Sequence, residues 1–181
     1  MDKEKALKIL LDFKEILGGR RWWLEAGTCL GATREKDFIE WDHDLDVGIM
    51  AEDFGFDLIE SIVHKGFSVR HIFGMFTKGF EIAFIRDGIK IDLFLFYKKD
   101  DKRWHGAWRN GSRNGFDDLI KLVFEADMME NRKMIEFKGY EFPVPSRTEE
   151  YLTARYGQWK EPNKRWDWSK DPRCIQPDFE I

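Results

Sequence analysis

The sequence predicts a layered α/β (α+β) domain, with helices flanking a mixed sheet. Three observations predict it. Helical and strand periodicities alternate along the chain, and two dipeptides, Asp87-Gly88 and Lys138-Gly139, mark hairpins between β-rich runs. Asp42, Asp44 and Asp46 recur at every second position ahead of the apolar run Val47-Gly-Ile-Met50. A length of 181 residues suits one such domain with its own core, and the expected organisation is a single domain over 1–181. Its tail, from about residue 160, is expected to be irregular and rich in Trp and Pro.

The elements follow in order. Leu7, Leu10, Leu11, Lys14 and Leu17 lie at helical spacing, with Ala6, Ile9, Phe13 and Ile16 widening the apolar face. They predict a helix over 2–17, capped by Asp2 and ended by Gly18-Gly19. Residues 22–25 read as a short strand broken at Gly27, residues 29–35 as one or two helical turns, and 43–50 as the acidic strand. A helix over 52–65 closes at Gly66, and 67–73 is a strand. Residues 81–86 and 89–96 form a hairpin, as do 134–137 and 140–144. Ser146-Arg-Thr-Glu149 has the capping-box pattern of a helix that Gly157 should stop.

Composition narrows the function. The net charge of −4 gives no argument for a nucleic-acid partner. One basic stretch stands out, Lys98 to Arg113, with Lys99, Lys102, Arg103 and Arg109 among Trp104 and Trp108. It reads either as a phosphate-clamping loop or as a solvated one. Two cysteines, Cys29 and Cys174, make neither a disulfide framework nor a zinc site by themselves. No run approaches the roughly 20 apolar residues of a transmembrane helix. The first residues lead into an amphipathic pattern rather than a signal peptide, so cytoplasmic residence is the default expectation.

The aspartate row carries the chemistry. Alternate side chains of a strand share a face, and adjacent like charges there repel unless a cation joins them. The plain alternative is an acidic turn after Trp41. In a strand, Asp44 and Asp46 lie about 6.7 Å apart at Cα, close enough to share a divalent cation, whereas Asp42 and Asp46 lie roughly 13 Å apart. A third carboxylate must therefore come from a neighbouring strand, about 4.8 Å away. Asp92, the lone carboxylate in Ile89-Lys-Ile-Asp-Leu-Phe-Leu-Phe96, is the candidate, since an unpaired buried carboxylate is costly. Upstream, Gly27-Thr28 precedes Leu30-Gly31-Ala32, a turn and helix start whose N–H groups suit phosphate oxygens.

The set of strand, Gly-Thr turn, short helix, Asp-x-Asp strand and later lone Asp resembles the nucleotidyltransferase fold. More narrowly, Ala26-Gly-Thr-Cys-Leu-Gly-Ala-Thr-Arg34 followed by Phe38-Ile-Glu-Trp-Asp-His-Asp-Leu-Asp-Val-Gly48 resembles the signature of the LicD family. Ile91-Asp-Leu-Phe94 is similar to that family's later strand, and Pro145, Tyr151-Leu152 and Tyr156-Gly-Gln-Trp159 with Pro162 are similar to its closing motif. Glu40 stands where the family usually has Pro, and His43 where it has a middle Asp.

The resemblance implies an enzyme that moves a phospho-alcohol group, such as phosphocholine or ribitol phosphate, from a CDP-activated donor to a sugar or glycan hydroxyl. It implies Mg²⁺, with Mn²⁺ as a substitute, on Asp44, Asp46 and Asp92. Asp92 would also orient or deprotonate the attacking hydroxyl. Gly27 and Thr28 would cradle phosphate, with Asp42 in support. Arg34 would fork onto a phosphate or pair with Asp42 or Glu40. Trp41, Tyr156 and Trp159 read as core or lid aromatics, with base stacking as the other reading. Two alternatives stay open: a nucleotidyltransferase that transfers the nucleoside monophosphate itself, and a nucleotide-binding relative without turnover.

Overall fold

The computed structural model describes residues 1–108, 119–167, 173–176 and 179–181. Its first element is α1 (Lys3–Leu17), with the Asp2 carboxylate accepting from the N–H groups of Glu4 and Lys5 at 3.1 and 3.2 Å. Then come β1 (Trp22–Leu24), α2 (Ala26–Arg34) and β2 (Asp44–Met50). After a single 3-10 turn (Ala51–Asp53), α3 (Phe56–His64), β3 (Ser68–Gly74), β4 (Phe80–Arg86) and β5 (Ile89–Lys99) follow. The chain continues through β6 (Lys102–Trp108), β7 (Leu119–Glu125), α4 (Ala126–Glu130), β8 (Arg132–Phe137), β9 (Tyr140–Pro145) and α5 (Thr148–Tyr156).

Seven strands form one sheet, with the main path β1-β2-β5-β4-β3, and β6 and β7 extending it from the far end of β5. Among the described residues only β2 and β5 run parallel; the other pairs are antiparallel, and β8 and β9 make a separate hairpin. Both expected hairpins form. At each turn both central residues take positive φ (51° and 78° at Asp87-Gly88, 55° and 84° at Lys138-Gly139), the geometry that matches the strand twist.

The alternation in β2 separates the two faces of the sheet. Leu45, Val47 and Ile49 are fully buried, and with Ile82, Phe84, Ile91, Leu93 and Leu95 they build the apolar side of the core. Phe13 of α1 packs on this face, edge-on to Phe84 at 5.9 Å and to Phe67 at 5.1 Å. Asp44, Asp46 and Gly48 alternate with them on the other face. There the Trp23 indole crosses Gly48, where an added Cβ would sit 2.5–2.7 Å from three indole atoms. Trp23 cannot swing away, because it is fully buried and packed on Phe96 at 4.9 Å. Gly48→Ala should therefore cost about 1–3 kcal/mol by overpacking, read as a lower urea midpoint. An unchanged midpoint would contradict this packing.

Four expectations need correction. The helix expected over 52–65 is split, because Asp53 folds back onto Arg21, accepting from its N–H and guanidinium at 2.8 Å, and the chain restarts as helix only after extended Gly55. The capping box does not form. Ser146 N–H bonds Asn131 O at 2.9 Å and holds the chain on the hairpin, so Arg147 becomes the residue before α5, with no side-chain cap. Over its described residues, 98–108, the basic stretch is a β-hairpin rather than a loop, and two of its cations are paired: buried Arg103 meets Glu52 and Glu130 at 2.7 Å, and Lys102 meets Glu125 at 2.7 Å. Arg109 and Arg113 lie outside the described residues. Finally, the strand does not extend through Asp42, which lies in a turn with its N–H on Ile39 O at 3.1 Å.

The tail has no helix among its described residues, but it is anchored. Trp159 is buried, Val123 N–H bonds Cys174 O at 2.8 Å, and Gln176 N–H bonds Lys121 O at 3.0 Å. Residues 168–172 and 177–178 of the tail lie outside the described residues. Among the described residues, no helix is long and apolar enough to cross a membrane.

Candidate active site

The parallel register of β2 and β5 sets Asp46 directly beside Asp92, and Asp44 beside Lys90. Paired residues of neighbouring strands share a face, so the carboxylates predicted on two separate segments meet on the sheet. The Lys90 ammonium lies between Asp44 and Asp92, at 2.8 and 2.7 Å. Asp92 is 5% exposed, and its Oδ1 is buried without a hydrogen-bond partner. His43 is exposed and precedes the strand.

Helix α2 supplies the other wall. Gly27 N–H donates to Asp46 Oδ2 at 2.9 Å, and the Thr28 hydroxyl accepts the Asp46 N–H at 2.8 Å. Both residues are thus engaged with Asp46, and the helix begins earlier than expected, at Ala26. Gly27 lets the carboxylates approach closely: a Cβ there would lie 2.5 Å from Asp42 Oδ2 and 3.2 Å from Asp46 Oδ2, so the Asp42 side chain would have to shift. That proximity also locates Asp42. Because it turns before the strand, its carboxyl folds back beside Asp46, and the separation calculated for an extended chain does not apply.

Arg34, at the end of α2, pairs with neither Asp42 nor Glu40. Its Nη2 meets Glu35 at 2.6 Å and its Nη1 donates to Trp159 O at 2.9 Å, while its buried Nε has no partner.

The carboxylates repel one another. Burial, and then the neighbouring Asp44, push Asp42 up to about 7. Burial, and then Asp44, Asp92 and Asp42, raise Asp46 well above the usual carboxylate range. Asp92 rises to about 6 through burial, opposed by Lys90. Glu81 of β4 rises to about 8 through burial and then Asp92. Glu81 shares this face because Ala83, two residues on, pairs with Asp92. Sequence reading missed it; the available signal was a lone acid heading the apolar run Ile82-Ala-Phe-Ile85.

These groups bind protons more tightly folded than unfolded, so their contribution to stability is complete below the ordinary carboxylate pKa of about 4. It is lost as pH rises through the window from about 6 to about 8. The melting temperature in EDTA should therefore fall between pH 5.5 and 8.5, and Mg²⁺ should raise it more at pH 8 than at pH 5.5. A flat or rising EDTA profile would contradict the cluster.

A divalent cation fits the donor chemistry. The set is all oxygen and hard, it carries excess negative charge, and Asp92 Oδ1 lacks a partner. Among the described residues no three His, Cys, Asp or Glu side chains already form a metal cage. The Lys90 ammonium takes the position between Asp44 and Asp92.

Behind the carboxylates lies a buried network that sequence reading also missed. Glu25, fully buried, accepts from Trp23 Nε1 at 2.6 Å, from Arg155 Nη1 at 3.0 Å and from the Tyr151 hydroxyl. Arg155 Nη1 also lies 3.2 Å from His105 Nε2. His105 Nδ1 faces the Gly106 carbonyl at 3.0 Å, so the proton is on Nδ1 and Nε2 accepts. Burial, then Arg155, hold this imidazole neutral, well below the usual histidine range. The Tyr151 hydroxyl accepts the Ala26 N–H at 3.2 Å, and Ala26 has φ +38°, a strained value for a residue with a Cβ. The network thus fixes the backbone step that delivers Gly27 to Asp46.

A family model, LicD/FKTN/FKRP nucleotidyltransferase domain, matches residues 19–147. The chain is 34% identical over 161 residues to human ribitol-5-phosphate transferase FKTN, spanning 88% of this chain and 33% of that protein. It is 27% identical over 145 residues to human ribitol 5-phosphate transferase FKRP, spanning 77% and 28%. An uncharacterized Rickettsia typhi protein is 33% identical over 166 residues, spanning 88% and 48%. The chain therefore covers about a third of the length of the FKTN relatives it matches. Among solved structures, a candidate nucleotidyltransferase from Thermotoga maritima superposes with a TM-score of 0.50 at 18% identity, spanning 84% of each chain, a likeness of fold.

Proposed function

Since the chain belongs to the LicD/FKTN/FKRP nucleotidyltransferase-domain family, we propose that it is a transferase moving a phospho-alcohol group from a CDP-linked donor to a sugar hydroxyl. The FKTN and FKRP relatives, both named as ribitol-phosphate transferases, support ribitol phosphate or a similar alcohol as the group moved. The observation that carries the reading is the register of β2 on β5, with Asp46 beside Asp92 and an unpartnered Asp92 Oδ1 on the same face as Asp44.

In the proposed mechanism Asp44, Asp46 and Asp92 would hold Mg²⁺, whose charge, when bound, would offset that of the donor's diphosphate and of the leaving group. Thr28 and Gly27 keep Asp46 in place, through its N–H and its carboxylate respectively. Asp92 orients the attacking sugar hydroxyl and accepts its proton. The hydroxyl oxygen bonds to the phosphorus that carries the alcohol, the bond from that phosphorus to the CMP oxygen breaks, and CMP leaves with the electron pair. Such a transfer needs chiefly positioning and charge neutralisation, which a rigid carboxylate face supplies.

The test is incubation with CDP-ribitol, CDP-choline and CTP over a panel of sugar acceptors, with and without Mg²⁺. Metal-dependent CMP release with a phospho-alcohol on the sugar supports the proposal. Pyrophosphate release from CTP would instead identify transfer of the nucleoside monophosphate and overturn it.

A further inference from the structure

Beside the carboxylates lies a cavity of about 490 Å³, and Gly27 belongs to the walls of both. Trp41, Tyr156, Trp159 and Trp166 supply its planar surfaces, brought together from the approach to β2, the end of α5 and the tail. Among the described residues its charged lining is Arg34, Lys164, Arg173 and Glu161, with Arg34 paired to Glu35 through Nη2 at 2.6 Å. Lys164 Nζ stands 4.7 Å above the Trp41 ring, and Tyr156 packs on Trp166 with centroids 4.3 Å apart. The Arg34 side chain is only 10% exposed, and its Nε has no acceptor. A buried guanidinium N–H without a partner calls for an acceptor from a ligand.

We propose that this cavity holds the nucleoside of a nucleoside-diphosphate donor, its base against the indoles and its diphosphate passing Gly27 to the carboxylates. The proposal rests on the transfer reading above and specifies where the donor sits. Every base has a π-face, so aromatic walls suit it without sequence readout. Aromatic rings also stack on neutral sugars, but a neutral sugar offers no anionic partner to the buried Arg34 Nε–H or to Lys164 beside the rings. The volume lies in the range of roughly 300–1,000 Å³ usual for small-ligand sites. Trp41 and Tyr156 thereby gain the base-stacking role that the sequence left open, while Trp159, held by Thr153 through its Nε1 at 3.2 Å, forms the rear wall.

The test measures CMP and CDP binding in EDTA by quenching of tryptophan fluorescence and by calorimetry, with ribitol and maltotriose as neutral controls. CMP should bind without metal, and the neutral compounds should not. Trp41→Ala and Lys164→Glu should each weaken CMP binding roughly 5- to 100-fold. Lys164 is exposed, so that second variant keeps its fold. Asp46→Asn should bind CMP in EDTA at least as well as the parent. Equal CMP affinity in Trp41→Ala and Lys164→Glu, or binding of maltotriose in place of CMP, overturns the assignment. The two readings fail differently. CMP release with unchanged KM in both cavity variants sinks the cavity and leaves transfer standing. Intact, cavity-dependent CMP binding with no turnover of any donor sinks transfer and leaves the cavity.

Discussion

Asp46→Asn should lower CMP release by on the order of 10²–10³-fold while raising the melting temperature of the metal-free protein at pH 8. The two effects share one cause. Asp46 is buried among Asp44, Asp92 and Asp42, all of which oppose its ionisation, so a neutral amide relieves repulsion the folded state otherwise carries. The amide oxygen still accepts the Gly27 N–H, and the Thr28 hydroxyl still accepts from the backbone of residue 46, so the local geometry survives. Lost with the charge is a hard anionic oxygen for the cation. Gain of stability with loss of turnover is the signature of charges gathered for function rather than folding. Asp92→Asn should lose turnover similarly, with a smaller stability gain because Asp92 also pairs with Lys90. Full turnover in either folded variant would sink the mechanism.

Arg155→Leu should lower stability by about 3–5 kcal/mol, the cost of leaving a buried carboxylate without its cation. For a chain of this length that corresponds to a fall of roughly 6–20 °C in melting temperature. Glu25 would remain fully buried with only the Trp23 and Tyr151 donors, and His105 Nε2 would lose its donor. Combining Arg155→Leu with Glu25→Gln should recover part of the loss, because the uncompensated charge is gone. A double variant no more stable than the single one would show that packing, rather than the ion pair, sets the cost. Since the Tyr151 hydroxyl also holds the Ala26 N–H, the single variant should loosen Gly27 against Asp46 and reduce turnover beyond its effect on folded fraction.

Much of this protein was legible in its sequence because the relevant signals are local. The period of Leu7, Leu10, Leu11 and Leu17 places an apolar stripe on one helix, and Asp87-Gly88 and Lys138-Gly139 each contain their own turn geometry. The alternation of Asp44 and Asp46 with Leu45 and Val47 states which face of the strand is polar. Asp92 was legible for a related reason: a single carboxylate in an apolar strand has to be matched by something. The boundaries that differ, at Asp53-Gly55 and at Ser146-Arg147, are places where a contact distant in sequence, to Arg21 or to Asn131, outweighs the local preference.

By itself, then, the sequence indicated most of the elements outside residues 98–133 and the polar face of β2, since these follow from residue type and spacing along one segment, while β6, β7 and α4 were not anticipated. Only the tertiary structure decided which carboxylates meet. The parallel register of β2 on β5 sets Asp46 beside Asp92, the turn before β2 folds Asp42 back to Gly27, and the neighbouring strand brings Glu81 to the same face. It alone joined Glu25 to Arg155, 130 residues apart, and curled the tail into the aromatic cavity. The reason is physical: burial makes charges interact strongly, and which charges are buried together depends on packing between segments that the local pattern leaves independent.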